Sequence, residues 1–168
     1  MDPRNVQEFL AQDVYLPGYV NFKQEDQDGR AAVFLFNISE PPVARGEIVH
    51  YATPRGYHLC IAQAEYALVE RLIQEDKLPE LGETSLDKLR SILLTGRVKI
   101  ARLDEHFRRE VSLDKPVQMK LELKRVRQIG IAPKLEFNFD FANRSMWGMS
   151  ISSIAPDKVI PLNMEAAR

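Results

Sequence analysis

The chain of 168 residues is the size of one domain able to bury a full core, and its 45% hydrophobic and 28% charged residues exclude a disordered or collagen-like polymer. A formal net charge of −1 gives no overall electrostatic case for nucleic acid or an anionic membrane surface. The single cysteine, Cys60, allows no internal disulfide and no thiolate zinc cage, which points to a reducing, cytoplasmic setting.

Met1 to Asp13 carries acids and amides instead of a basic segment followed by an apolar run, so it does not read as a signal peptide. Val6, Phe9, Leu10 and Val14 recur at helical spacing and predict a short helix over about 5–14, closed by Pro17-Gly18. Tyr19 to Phe22 is a candidate strand. Gln24 to Gly29 (QEDQDG) reads as a polar turn ending in the Asp-Gly hairpin signal, and Arg30 to Ile38 as the returning strand. Ser39 to Gly46 is a loop, since its paired prolines neither extend a helix nor donate to a ladder.

His50 to Gly56 (HYATPRG) leads into the strongest helical segment, Tyr57 to Gln74, within a helix of about 56–76. Leu59, Cys60, Ile61, Ala62, Ala64, Ala67 and Leu68 surround most of its circumference, and a helix apolar nearly all round is buried nearly all round. Its second half reads as amphipathic, with Leu68, Leu72 and Ile73 inward and Glu70, Arg71 and Gln74 outward. Tyr57 to Leu68, the longest mostly apolar stretch, is interrupted by His58, Gln63 and Glu65 and is shorter than the about 20 residues that span a bilayer. Lys77 to Asp87 reads as a polar excursion.

Strand signals follow. Leu89 to Leu103 is apolar-rich, and Asp104 to Lys115 reads as a charged connection. Val117, Met119, Leu121 and Leu123 then alternate with polar residues, as do Leu135, Phe137, Phe139 and Phe141, and Ser145 to Ile154 returns after a turn. Such period-two alternation predicts a half-buried antiparallel sheet. The sheet cannot cover its own apolar face, and the apolar helix cannot sit outside. Wrapping one around the other satisfies both. The expectation is a single α+β domain over 1–168, a curved antiparallel sheet wrapped around a long central helix: the hotdog fold.

Several short motifs support that reading by resemblance. Phe36-Asn37, His50-Tyr51, the L-C-x-x-Q-x-x-Y pattern of Leu59, Cys60, Gln63 and Tyr66, and the stretch of Leu89, Ser91 and Leu93 followed by Phe107-Arg108 resemble the FcoT-like long-chain acyl-CoA thioesterases. His50-Tyr51, Pro54 and Gly56 are similar to the approach to the central helix in hotdog acyl-carrier-protein dehydratases. The resemblance runs from about Tyr15 onward and implies a fatty acyl thioester as substrate, carried by coenzyme A or a carrier protein. Two positions depart from the FcoT-like pattern: Pro41-Pro42-Val43 stands where that family has a tyrosine, and Ala62 stands near its helix asparagine.

Glu65 is the sharpest candidate, because a carboxylate among Ala62, Ala64 and Ala67 on a buried helix is costly unless paired or protonated, and such acids suit proton transfer. Its structural alternative is an ion pair with Arg97 or Arg102. Gln63 can hydrogen-bond a carbonyl or water, or serve as an interface amide. His50 can act as general base or be a surface histidine. First-turn amides near Gly56 can polarise a thioester carbonyl, or Gly56 is simply a loop glycine. His58 reads as a core or interface histidine, His106 as solvated and Cys60 as inert. Arg97, Lys99, Lys124 and Arg125 suit coenzyme A phosphates or an acidic carrier protein, or form a solvated sheet face. Trp147, with Met146 and Met149, can line an acyl tunnel, a dimer contact or the core.

Three functions compete: an acyl-thioester hydrolase, a lyase on the same substrates, and a non-catalytic acyl-binding protein. No metal-ligand spacing, phosphate-cradling glycine loop or Ser-His-Asp pattern argues for other chemistry, so no cofactor is expected. The hotdog resemblance implies edge-to-edge pairing of sheets, which also removes an exposed strand edge, so at least a homodimer is expected.

Overall fold

The computed structural model describes residues 20–38, 43–44, 47–48, 54–81, 86–94, 98–129 and 132–154. The predicted helix over 5–14 lies outside them. In chain order the elements are β1 (Val20–Asp28), β2 (Ala31–Ile38), β3 (Val43–Ala44), β4 (Glu47–Ile48), α1 (Pro54–Gln74), a 3-10 turn (Pro79–Leu81), α2 (Leu86–Leu94), β5 (Val98–Phe107), β6 (Val117–Ile129), β7 (Ala132–Phe141) and β8 (Met146–Ile154). Six strands form one antiparallel sheet in the order β1-β2-β6-β7-β8-β5, and β3 and β4 form a separate two-stranded ladder.

The alternation in the sequence becomes the inner face of that sheet. Phe34 and Phe36, Met119 and Leu121, and Phe137 and Phe141 are buried in one core with Ile61, Leu68 and Leu72 of α1. The apolar helix thus lies against the apolar face, as expected. Tyr57 opens α1 with its ring 5.3 Å from that of Phe141 and 5.8 Å from that of Phe107. One full turn later the helix stays covered, and it ends at Gln74 in a Schellman motif. There Lys77 N–H donates to the Leu72 carbonyl at 2.8 Å, Asp76 N–H donates to the Ile73 carbonyl at 3.1 Å, and Asp76 takes a φ of 53°.

Five sequence expectations change. The QEDQD stretch is strand, not turn: β1 pairs with β2 through Asp28, and the chain reverses at Gly29, with φ 53°. An edge strand tolerates polar residues, which also discourage pairing with other chains. The loop over Ser39–Gly46 includes the short strand Val43–Ala44. The apolar run beginning at Leu89 is first a helix and only then a strand, because LDKLRSILL places leucines at helical spacing while Val98 starts the alternation. The charged LDEHF segment is the second half of β5, not a connection. Glu70 does not face solvent; α2 covers that side of α1, and Arg90 of α2 donates to Glu70 at 2.6 Å. None of the helices among the described residues is long and apolar enough to cross a membrane.

Candidate active site

The inner face changes character at β8. Register sets Phe137 opposite Ser150 and Leu135 opposite Ser152, so two hydroxyls occupy positions that neighbouring strands give to large apolar side chains. Both serines are buried, and they meet Glu65 from α1. Ser150 Oγ donates to Glu65 Oε1, and Ser152 Oγ donates to Glu65 Oε2 at 2.5 Å. Glu65 is 5% exposed. Burial pushes its carboxyl up to about 7, against the two hydroxyl bonds, which pull it down.

A cavity of about 90 Å³ opens beside this carboxylate. Ala62, Tyr66 and Val69 of α1 form one wall with Glu65, and Leu89 of α2 joins them. Val98 and Ile100 of β5, Leu135 and Phe137 of β7, and Ser152 and Ile154 of β8 form the other wall. A nearly neutral-range carboxylic acid therefore faces a mostly apolar space. Such a group can take a proton from a water or from a carbon acid at ordinary pH.

Beside this lies a second buried carboxylate. Glu70 is fully buried and paired with Arg90, whose side chain keeps 24% of its surface. The Tyr66 hydroxyl sits with them and is pushed well up, first by burial and then by Glu70.

The other predicted residues are dispersed. Gln63 is buried, but it is two positions from Glu65 and so projects elsewhere on the helix; it does not line the cavity. Its Oε1 has no hydrogen-bond partner among the described residues. Gly56 is buried in the first turn of α1. It lies nine residues before Glu65, about 13 Å along the axis. His50 and Arg97 lie outside the described residues. Lys99 is exposed on β5, Lys124 donates to Glu122 at 2.9 Å, and Arg125 grips Glu136 through two bonds of 2.6 and 3.1 Å. Arg102 pairs with Asp104 at 2.8 Å instead of Glu65. His58 is half-exposed and bonds Glu105 at 2.8 Å, not a core residue. Trp147 stacks on His106 with centroids 5.5 Å apart, on the sheet face opposite the cavity, so it lines no tunnel there. Cys60 is buried, and burial pushes its thiol up, as an inert core cysteine requires.

Sequence reasoning missed Ser150 and Ser152. The signal was present in β8, where every second residue from Met146 reads Met, Gly, Ser, Ser, Ile. Small polar residues on a face that adjacent strands fill with large apolar side chains mark a seat for something polar.

No family model and no curated protein matches the sequence. Among solved structures, a proposed thioesterase from Syntrophus aciditrophicus SB superposes with a TM-score of 0.50 at 12% identity, covering 89% of this chain and 92% of its own. A thioesterase superfamily protein from Shewanella loihica PV-4 superposes at a TM-score of 0.44 and 12% identity, over 80% of this chain and 91% of its own. The first of these shows a shared fold, an α+β arrangement of antiparallel sheet and packed helix.

Proposed function

We propose that the protein is a hotdog-fold hydrolase of acyl thioesters in which Glu65 is the general base. The observation that carries this reading is a buried carboxyl, pushed up to about 7 and held by two serine hydroxyls, at the wall of an apolar cavity. The acyl chain enters the cavity and presents its thioester carbonyl at Glu65. The carboxylate takes a proton from water as the water oxygen bonds to the carbonyl carbon. Collapse of the tetrahedral intermediate breaks the carbon–sulfur bond, and the thiolate leaves with the proton that Glu65 then returns. Ser150 and Ser152 fix both carboxylate oxygens, so the base is aimed before the substrate arrives. The fold likeness to the Syntrophus protein and the FcoT-like motifs support the same reading. Coenzyme A and a carrier protein remain equal candidates for the thiol, with Lys99, Lys124 and Arg125 on the outside of the sheet as cations for its phosphates or acidic face.

The same reading favours a homodimer. A carbonyl touching Glu65 is out of reach of its own first-turn amides near Gly56, about 13 Å away. A second copy docked on β5, the edge strand beside the cavity, is the nearest source of an oxyanion donor. Light scattering checks this, and an active monomer would break it.

The decisive experiment is a panel of acyl-pantetheine and acyl-coenzyme A thioesters with free thiol as the readout. Glu65→Gln should lower kcat by roughly 10²–10⁴-fold. Wild-type kcat/KM should rise with pH through about 7, as the carboxyl loses its proton. Retained thiol release in Glu65→Gln would sink the proposal. Exchange of the protons next to the carbonyl, with no thiol released, would turn it toward a lyase.

A further inference from the structure

We infer that the outer face of the sheet is a self-complementary surface on which a second copy of this chain docks, strand over strand, with the strands of the two copies running in opposite directions. This surface is distinct from the β5 edge, and it stands whether or not Glu65 hydrolyses thioesters.

Register divides the outer face into rows that run from β5 across β8 and β7 to β6. The first row is His106, Trp147, Asp140 and Lys120, and the second is Asp104, Met149, Asn138 and Glu122. The third is Arg102, Ile151, Glu136 and Arg125, and the fourth is Lys99, Ser153, Lys134 and Arg127. Down the middle, Trp147, Met149 and Ile151 of β8 form a partly exposed apolar stripe. Charge is segregated along that stripe. The first two rows set Asp104, Glu122 and Asp140 against Lys120 and, from the turn after β7, Arg144. The last two set Lys99, Arg102, Arg125, Arg127 and Lys134 against Glu136.

Neither end is neutralised from within. Lys134 stands directly opposite Arg127, and like charges so placed work against the fold. Glu136 is already gripped by Arg125, and Arg127 reaches it only at 4.0 Å. At the acidic end, Asp104, Glu122 and Asp140 line an open hollow of about 510 Å³ together with Trp147 and Met149. Asp104 holds Arg102 at 2.8 Å and Glu122 holds Lys124 at 2.9 Å, yet each of these four side chains keeps at least 41% of its surface.

A two-fold axis lying across the strands, between Met149 and Ile151, sets each strand over its own copy. It exchanges the first row with the fourth and the second with the third. Asp104 then faces the partner's Arg102, Glu122 faces the partner's Arg125, and Asp140 faces the partner's Lys134. Met149 meets the partner's Ile151 at the centre, and the symmetry repeats every pair. An axis along the strands would instead lay Arg102 on the partner's Arg125 and Asp104 on the partner's Glu122, so charge selects the first arrangement. Like charges meet at the corners, where Lys120 faces the partner's Arg127 and His106 the partner's Lys99. Packed sheets cross at about 30°, which carries the corners furthest out of register and lets those side chains turn to solvent. The face spans about 20 Å from Trp147 to Ser153 and about 14 Å from β5 to β6. That is smaller than the about 800 Å² per partner of a standard interface, so the pairing is reversible and depends on concentration and salt.

Sedimentation velocity of the full chain over a concentration series tests this, and Trp147, the single tryptophan of the sequence, reports on the face itself. A species of doubled mass should grow with concentration while Trp147 emission shifts to the blue in step. Raising salt from about 0.05 to about 0.5 M should weaken the association roughly tenfold. Glu122→Lys and Arg125→Glu should each weaken it at least roughly tenfold, and the double variant, which exchanges the charges, should recover to within about threefold of wild type. Both positions lie on β6, at the far side of the face from the β5 edge, so pairing through that edge is unchanged by them. Thermal melts check that the variants fold. No growth of a larger species with concentration overturns the inference. So does association that ignores salt and both charge reversals, or mass that doubles with Trp147 emission fixed, which assigns the contact to another surface. Thiol release plays no part in these readouts, so failure of the hydrolase reading leaves them untouched.

Discussion

Glu65 and Glu70 sit five residues apart on one helix, both buried, yet their partners differ in kind. Glu65 receives two neutral hydroxyls from β8 and faces a cavity. Glu70 receives a guanidinium from α2 and forms an ion pair at 2.6 Å. The hydroxyls offset only part of the cost of burying a charge, so the Glu65 carboxyl is pushed up to about 7 and can exchange a proton near neutral pH. The guanidinium compensates charge with charge and ties two helices together. Residue type and burial are shared, so the partner decides the role: one carboxylate is chemically poised and the other is a clamp.

The largest expected effect breaks the clamp. Glu70→Ala leaves Arg90 without its buried partner and should cost about 2–4 kcal/mol in urea unfolding, toward the lower end because the arginine already reaches solvent. Glu65→Gln should do the opposite at alkaline pH. A carboxyl that goes from 4.5 unfolded to about 7 folded makes the native state bind more protons between those values. Stability therefore falls as pH rises from about 4.5 to about 7, by roughly 3 kcal/mol in all. The glutamine variant loses that dependence and should be more stable than wild type at pH 8 by about 2–3 kcal/mol, with no gain at pH 4. Chemical denaturation at the two pH values checks both claims. A Glu65→Gln protein destabilised at pH 8 would mean that the carboxylate is held better than its neighbours indicate.

Glu65 was legible in the sequence because an acid among alanines on an apolar helix has no inexpensive explanation. Its partners were not, since pairing a residue of α1 with two on β8 depends on strand order, and period-two alternation gives faces but not neighbours. The sheet face and buried helix followed directly from Leu135, Phe137, Phe139 and Phe141 and from the apolar circumference of α1. Glu70 reads as solvent-facing in the sequence for a related reason, although it is buried. Its cover, α2, was hidden in a leucine-rich segment whose first half has helical spacing and whose second half alternates. Gln63 and Glu65 are near neighbours along the chain, yet two positions on a helix point in different directions, and only Glu65 lines the cavity.

Removing the hydroxyls sharpens the contrast from the other side. Ser150→Ala with Ser152→Ala leaves the Glu65 carboxylate without the bonds that pull its carboxyl down, so the acid limb of kcat/KM should move to higher pH. The same double variant should lose about 1–3 kcal/mol at pH 8, where the unsupported group is charged, and less at pH 5, where it is protonated. A stability loss that is equal at both pH values would mean that the serines act through packing alone.

The smallest change tests whether these effects belong to the carboxylates or to the helix that carries both. Asp76 takes a φ of 53° at the position after the helix where glycine is unstrained. Asp76→Gly should stabilise the protein by about 0.5–1 kcal/mol, because the left-handed conformation no longer works against a side chain. Since Asp76 touches neither Glu65 nor the cavity, the acid limb of kcat/KM should stay where it is in wild type. If that limb moves when only the helix end is stabilised, the proton affinity of Glu65 follows the rigidity of α1. The hydroxyl pair would then be one of two controls on it.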